Sequence, residues 1–377
     1  MLASGCASVE QRPEQPQSSG LSFDPAPFGE RPAIADESEI YSLTEQQESD
    51  FLAFFNDPSQ QAISAHERIY AYLLETTSDF DFHSDTRTAA RTLDEASGNC
   101  LSLAIVTTAL ANAVDVDTGY LLVDSTPIFE RQGGIVSKTI HVRSILYDPA
   151  WESEKEGERE TSRPGIQFDY FPDDTQRARL IGNLRENAYV AMYYSNMAGE
   201  ALTAGDSDAA FWYLLESLRH DPDNAIALNT MAVVYRRTGN EQMAERIYRY
   251  GIDSLPENVS FLRNYHSLLK RQGRDEEAEA ISRTIATLDD PNPFHWVNAG
   301  RSALSDGEFE EATRHLRRAI RIAPYLHEAH ALMAVAHLQM GNPSRSEREL
   351  RRAMDIAQRE STRSLYQAKL TVIGKKR

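Results

Sequence analysis

The chain of 377 residues contains two cysteines, three tryptophans and no continuous apolar run of eighteen residues. Two cysteines cannot make a disulfide framework. Cys6 lies in a polar tail and Cys100 heads an apolar segment, so a bridge between them is not expected. No stretch is long and apolar enough to cross a bilayer as a helix. Basic charge is scarce as well. Residues 1–190 carry 14 Lys and Arg against 32 Asp and Glu, and residues 191–377 carry 25 against 25, for a net charge of −18. Neither half offers the basic face that nucleic acid requires. The shift in balance marks a composition break near residue 190, and a hydrophobic share of 41 % is enough for a real core.

After that break the chain repeats with a period of 34 residues, in units 191–224, 225–258, 259–292, 293–326 and 327–360. Position 15 is glycine each time: Gly205, Gly239, Gly273, Gly307 and Gly341. Position 8 reads Ala198, Ala232, His266, Gly300 and Ala334, and position 20 reads Ala210, Ala244, Ala278, Ala312 and Ser346. Small residues let two helices of a pair approach, and the glycine ends the first helix with a left-handed residue. A single pair cannot bury its own apolar face, so units stack. The period, the small positions and the punctuation resemble tetratricopeptide repeats. The resemblance implies an all-α superhelical solenoid that binds a protein or peptide in a groove, closed by a capping helix over about Ser361–Val372 within the tail 361–377. Asn229, Arg236, Arg237, Arg263, Lys270 and Arg271 are the candidate groove residues, although a basic run of this kind is as readily a solvated helix face. The lysine/asparagine clamp common in such grooves is missing, since positions 5 and 9 read Ser195/Gly199, Asn229/Val233 and Arg263/Ser267. His295, His327 and His330 cluster late in the array without a third ligand in place, so no metal and no cofactor is expected.

The segment from about residue 41 to 185 reads differently. Apolar spacing predicts helices over about Thr44–Asn56, Gln60–Glu75 and Thr86–Glu95. Then comes SGNCLSLAIV, in which turn residues precede a helix, Cys100 to about Val114, that is apolar on nearly every face. Such a helix is buried. Cys100 stands where its unpaired N–H groups and positive dipole end meet, a position that favours thiolate. Strands are expected at Thr118–Asp124, at Gly134–Pro149 with His141 in its middle, and at Gly165–Pro172 with Asp169. A helix-start cysteine, a strand histidine and a strand aspartate supply a nucleophile, a proton shuttle and an orienting carboxylate. Asp169 is preferred to Asp148 and Asp173. Seven extended residues separate Asp148 from His141 by roughly 23 Å, and the odd spacing turns the two side chains to opposite faces.

The run ASGNCLSLAIVTTALANAV…GYLLV…TIHVRSILYDP…GIQFDYFP resembles the transglutaminase-like, papain-type Cys-His-Asp superfamily. That resemblance implies an α+β domain of helices packed on an antiparallel sheet, with Cys100, His141 and Asp169 as catalytic residues of a cysteine peptidase, amidase or transglutaminase-like acyl transferase. The alternative is a non-catalytic repeat scaffold with a degenerate domain of this type. The acidic loop at Trp151–Glu160 reads as a solvated hairpin tip.

The start of the chain, Leu2-Ala3-Ser4-Gly5-Cys6, resembles the end of a bacterial lipoprotein signal, which implies lipidation of Cys6 and a cell-envelope location. Ala7 follows the cysteine, and in such lipoproteins this implies the outer membrane, facing the periplasm. If the match is accidental, the location is cytoplasmic. Residues 1–40, rich in Gln, Pro, Ser and Glu, are expected to be a disordered tether.

Overall fold

The computed structural model describes residues 20–132, 135–151, 163–170, 179–288 and 290–374. They form two compact units. One takes the described parts of Met1–Val123 and His141–Ser282, and the other those of Asp124–Ile140 and Arg283–Arg377.

The first unit opens with α1 (Glu37–Tyr41), α2 (Glu45–Phe55) and α3 (Ala65–Thr76). Asp36 with Glu39, and Thr44 with Gln47, form reciprocal capping boxes that satisfy the first free N–H groups of α1 and α2. Both the N–H and the hydroxyl of Ser64 donate to Glu67, and α3 starts after this turn rather than at Gln60. β1 (Asp81–Phe82) runs parallel to β2 (Ser97–Gly98), with α4 (Ala89–Glu95) between them. α5 (Cys100–Asn112) follows, and every residue from Cys100 to Ala111 is buried, as an all-round apolar pattern requires. Its polar positions are matched: Thr107 bonds the Tyr170 hydroxyl at 2.7 Å and Thr108 bonds the Tyr120 hydroxyl at 3.0 Å.

Four strands complete the N-terminal half: β3 (Thr118–Gln132), β4 (Ile135–Tyr147), β5 (Gly165–Phe168) and β6 (Arg179–Leu184), in sheet order β5-β4-β3-β6. β3 runs well past Asp124, where the sequence reading ended it. β6 was not anticipated at all, since Arg-Leu-Ile-Gly-Asn-Leu has no clean alternation. β5 pairs antiparallel with β4 in the register Ser144↔Phe168, Ile145↔Gln167.

Two expectations about domain limits change. Residues 20–36 do not hang free as a tether. Leu21, Phe23 and Phe28 are buried, and the segment lies along helices of the first repeat units. Nor does the composition break near residue 190 divide two cores. α6 (Glu186–Ala204) contributes Tyr189, Val190, Tyr193 and Tyr194 to the same apolar cluster as α5. Tyr189 stacks on Tyr120 at 3.9 Å, and its hydroxyl donates to the Leu101 carbonyl at 3.4 Å.

The repeats continue as α7 (Ser207–His220), α8 (Ala225–Arg237), α9 (Glu241–Ser254), α10 (Val259–Arg271), α11 (Asp275–Thr287), α12 (Pro293–Ser305), α13 (Phe309–Ile322), α14 (His327–Gln339) and α15 (Pro343–Ile356). The first helices of units two to five start at the first residue of the 34-residue period, and that of unit one starts five residues early. All five position-15 glycines hold φ between 71° and 90°, which only glycine adopts without strain. Ala210, Ala244, Ala278, Ala312 and Ser346 are fully buried. A side chain at Gly300 would stand 2.6 Å from Leu316 Cγ. α16 (Glu360–Gly374) packs Tyr366, Leu370 and Ile373 on Leu350 and Ala353. Within the second unit the far part of β3 is also anchored. The Phe129 N–H donates to the Tyr325 hydroxyl, and the Arg131 guanidinium lies 4.8 Å from the Phe294 ring centre.

Candidate functional site

His141 and Asp169 meet. Their contact, Nε2 to Oδ1, is 2.7 Å long. The sheet register explains it. Ser144 faces Phe168 across the β4–β5 ladder, so Arg143 stands opposite Asp169, and His141 is two residues along on the same side. Arg143 uses this position too, donating through Nε to Asp169 Oδ2 at 2.7 Å. One carboxylate therefore holds an imidazole with one oxygen and a guanidinium with the other. Both bases are largely enclosed, with 6 % and 16 % of their side chains exposed. The sequence reading missed Arg143, although period-two alternation from His141 was the available signal.

Cys100 occupies the first turn of α5, capped by Asn99. The Asn99 side chain accepts from the Ser102 N–H at 2.9 Å and donates to the Thr86 hydroxyl at 2.8 Å. The backbone N–H groups of Val142, Leu101 and Cys100 itself surround the sulfur and favour thiolate. Val142 adjoins His141 in β4, so the thiol sits against the strand that carries the imidazole. The expectation of a lowered thiol pKa is nonetheless corrected. Cys100 is buried in the α5 cluster, and burial, helped by the negative charge of Asp169, pushes the thiol up in spite of the three N–H groups. Helix position acts as expected, but desolvation is larger.

Asp148 is not the partner of His141; its carboxylate lies 3.8 Å from His66. Cys6, Asp173 and residues 152–160 of the acidic loop lie outside the described residues.

On the repeats, much of the proposed basic groove is engaged within the chain. Lys270 pairs with Asp275 at 2.5 Å, Arg271 with Glu241 at 3.4 Å, and Arg237 donates to the Leu202 carbonyl at 3.3 Å. Arg236 lies beside Tyr248, and Arg263 is half-buried on α10. Asn229 accepts from the Asn264 side chain at 2.9 Å, joining units two and three through a residue the sequence reading did not single out. The late histidines are also partnered, His327 with the Tyr366 hydroxyl and His330 with Glu349, each at 2.8 Å. Among the described residues no three metal-ligating side chains gather.

Residues 303–370 match the family model for the tetratricopeptide repeat. That stretch carries tetratricopeptide repeats. Solved structures similar to it include PilF of Pseudomonas aeruginosa, at 20 % identity over 51 % of this chain and 87 % of that one, with a TM-score of 0.38. MamA of Desulfovibrio magneticus is similar at 15 % identity over 46 % and 96 %, with a TM-score of 0.29. YrrB, described as a tetratricopeptide-repeat protein with an unusual peptide-binding site, is similar at 16 % identity over 47 % and 92 %, also at 0.29. No curated protein matches the chain in sequence.

Proposed function

We propose that this protein is a scaffold that binds a protein or peptide partner through its tetratricopeptide array, with the N-terminal domain fused rigidly to the first repeat. The supporting observation is the array itself: helix pairs closed by left-handed glycines and packed through fully buried small residues. Such a stack buries its own apolar faces and leaves helix surfaces for a ligand. Charge reversal at Arg236 and Arg237 in the full chain abolishes partner capture on this reading, whereas Cys100→Ala leaves it intact. Capture lost with Cys100→Ala and kept after charge reversal would refute it.

A second reading, cysteine-dependent acyl transfer, is favoured by the 2.7 Å contact between His141 and Asp169. In that reaction the Cys100 sulfur passes its proton to His141 and bonds to an amide carbonyl carbon. The tetrahedral oxyanion takes hydrogen bonds from backbone N–H groups at the start of α5. The amine leaves with the proton from His141, and water or a second amine then cleaves the thioester. Asp169 holds the imidazole and supports its positive form. An electrophilic thiol probe separates the readings. Labelling of Cys100 that is lost in His141→Ala supports the enzyme, and equal, slow labelling in both supports the scaffold. We further propose that the protein is held at the bacterial envelope by a lipid on Cys6. Incorporation of a labelled fatty acid that persists in Cys6→Ser would refute this.

A further inference from the structure

We propose that the surface made by α7 and α8 is a peptide-docking site already occupied in cis by residues 21–31, and that its external ligand is a turn-containing peptide with an aromatic residue, a glycine directly after it and an arginine two residues beyond the glycine. The inference rests on the scaffold reading and names the ligand chemistry of that array.

The bound segment shows how the site recognises a chain. Phe28 lies flat on Phe211, with ring centres 3.9 Å apart and planes 9° from parallel, and meets the Tyr235 ring edge-on. Two backbone carbonyls are held by side chains of the repeats: the Trp212 indole N–H donates to the Gly29 carbonyl at 2.9 Å, and the Tyr235 hydroxyl donates to that of Asp24 at 3.1 Å. These contacts grip the backbone on either side of the turn in which the Phe28 N–H donates to the Pro25 carbonyl at 2.9 Å, whatever the side chains. Two further features read sequence. A Cβ at Gly29 would stand 3.0 Å from the Asp208 carboxylate, so the residue after the aromatic must be glycine or shift that side chain. The Arg31 guanidinium lies 2.6 Å from Glu216, whose side chain is only 6 % exposed. A buried carboxylate without a cationic partner is costly. Arg219 reaches the other oxygen of Glu216, so the site keeps one cation of its own and takes the second from the ligand. An aromatic slot, two carbonyl clamps and a buried acid together describe a peptide site rather than a chance contact.

A segment attached to the same chain competes at high effective concentration, so the site is closed to weak ligands until the strap is displaced. The probe is a dye-labelled synthetic peptide with the sequence of residues 20–33. Phe28→Ala with Arg31→Ala in the full chain weakens the strap and leaves the surface intact. The double variant is expected to bind the peptide at least about tenfold more tightly than the unmodified chain. A peptide carrying glutamate in place of the arginine is expected to lose that binding. Equal binding by variant and unmodified chain, or equal binding of both peptides, overturns the proposal. If the variant does not fold, amide exchange over residues 21–31 of the unmodified chain gives the answer. Excess peptide accelerates that exchange if the strap is displaced, and unchanged exchange overturns the proposal. Partner capture dependent on Arg236 and Arg237, measured on the same samples, shows whether a failure belongs to this site alone or to the scaffold reading.

Discussion

Glu200 offers the sharpest test of how the first repeat is joined to the N-terminal half. It projects from α6, and its carboxylate accepts the Thr86 N–H at 2.7 Å. Burial raises its pKa from 4.5 to about 7, with Asp85 adding to the rise; the Thr86 bonds and Arg87 oppose it. The sign follows from linkage. The folded state prefers the protonated acid more than the unfolded chain does, so Glu200 contributes most stability below pH 4.5. That contribution falls as pH rises and is gone above about pH 7. A shift of this size is worth about 3 kcal/mol, of which about 2.5 kcal/mol falls between pH 5 and pH 8. Glu200→Gln keeps the carbonyl acceptor for Thr86 and removes the charge. Relative to the unmodified protein it is expected to be more stable at pH 8 by about 2–3 kcal/mol, with most of the difference gone at pH 5. Urea unfolding of both proteins at the two pH values, followed by circular dichroism, measures it. A stability difference that does not change with pH, or a glutamine variant weaker at pH 8, would refute the placement of this carboxylate in a desolvated joint.

Four other substitutions probe the frame. Gly300→Ala drives a methyl to within 2.6 Å of Leu316, and thermal unfolding is expected to show a net loss of about 1–2 kcal/mol after the gain in helix propensity, recovered in part by Leu316→Ala. Gly239→Ala at φ 88° is expected to destabilise by about 1–2 kcal/mol, whereas Gly199→Ala, inside α6 with open space around it, should stabilise by about 0.5–1 kcal/mol. The same sign for both would contradict the assigned helix ends. Asn99→Ala removes the cap of α5 and its bond to Thr86, and denaturant unfolding should show a loss of about 1–2 kcal/mol.

The repeats were legible because their constraints are local. A helix end with φ between 71° and 90° strongly favours glycine, and a close helix crossing needs a small side chain, so both recur at fixed positions whatever the remaining residues do. The start of α5 was legible for the same reason, since Ser97-Gly98-Asn99 announces a turn and a cap. What escaped depends on residues far apart in sequence. Nothing in Leu21, Phe23 and Phe28, thinly spread through a proline-rich stretch, reveals that Phe211, Trp212 and Tyr235 wait for them some two hundred positions later. The pairing of His141 with Asp169 was inferred from strand order. The burial that governs Cys100 was not, because enclosure is a property of the packed cluster and not of the helix end. Arg143 shows the opposite lesson. It lay two residues from a histidine already chosen, on the same face of the strand, and period-two alternation was enough to pick it out.

The contact between Tyr189 and the first turn of α5 makes the first repeat helix and the helix that carries the sulfur parts of one seam. The tyrosine belongs to the opening helix of the solenoid, yet its hydroxyl reaches the carbonyl of Leu101, the neighbour of Cys100. The turn in which the thiol is seated is thereby tied to that opening helix. For the same reason the chain cannot be cut at residue 185 into two healthy pieces, because each would expose the tyrosine-lined seam that the other now covers.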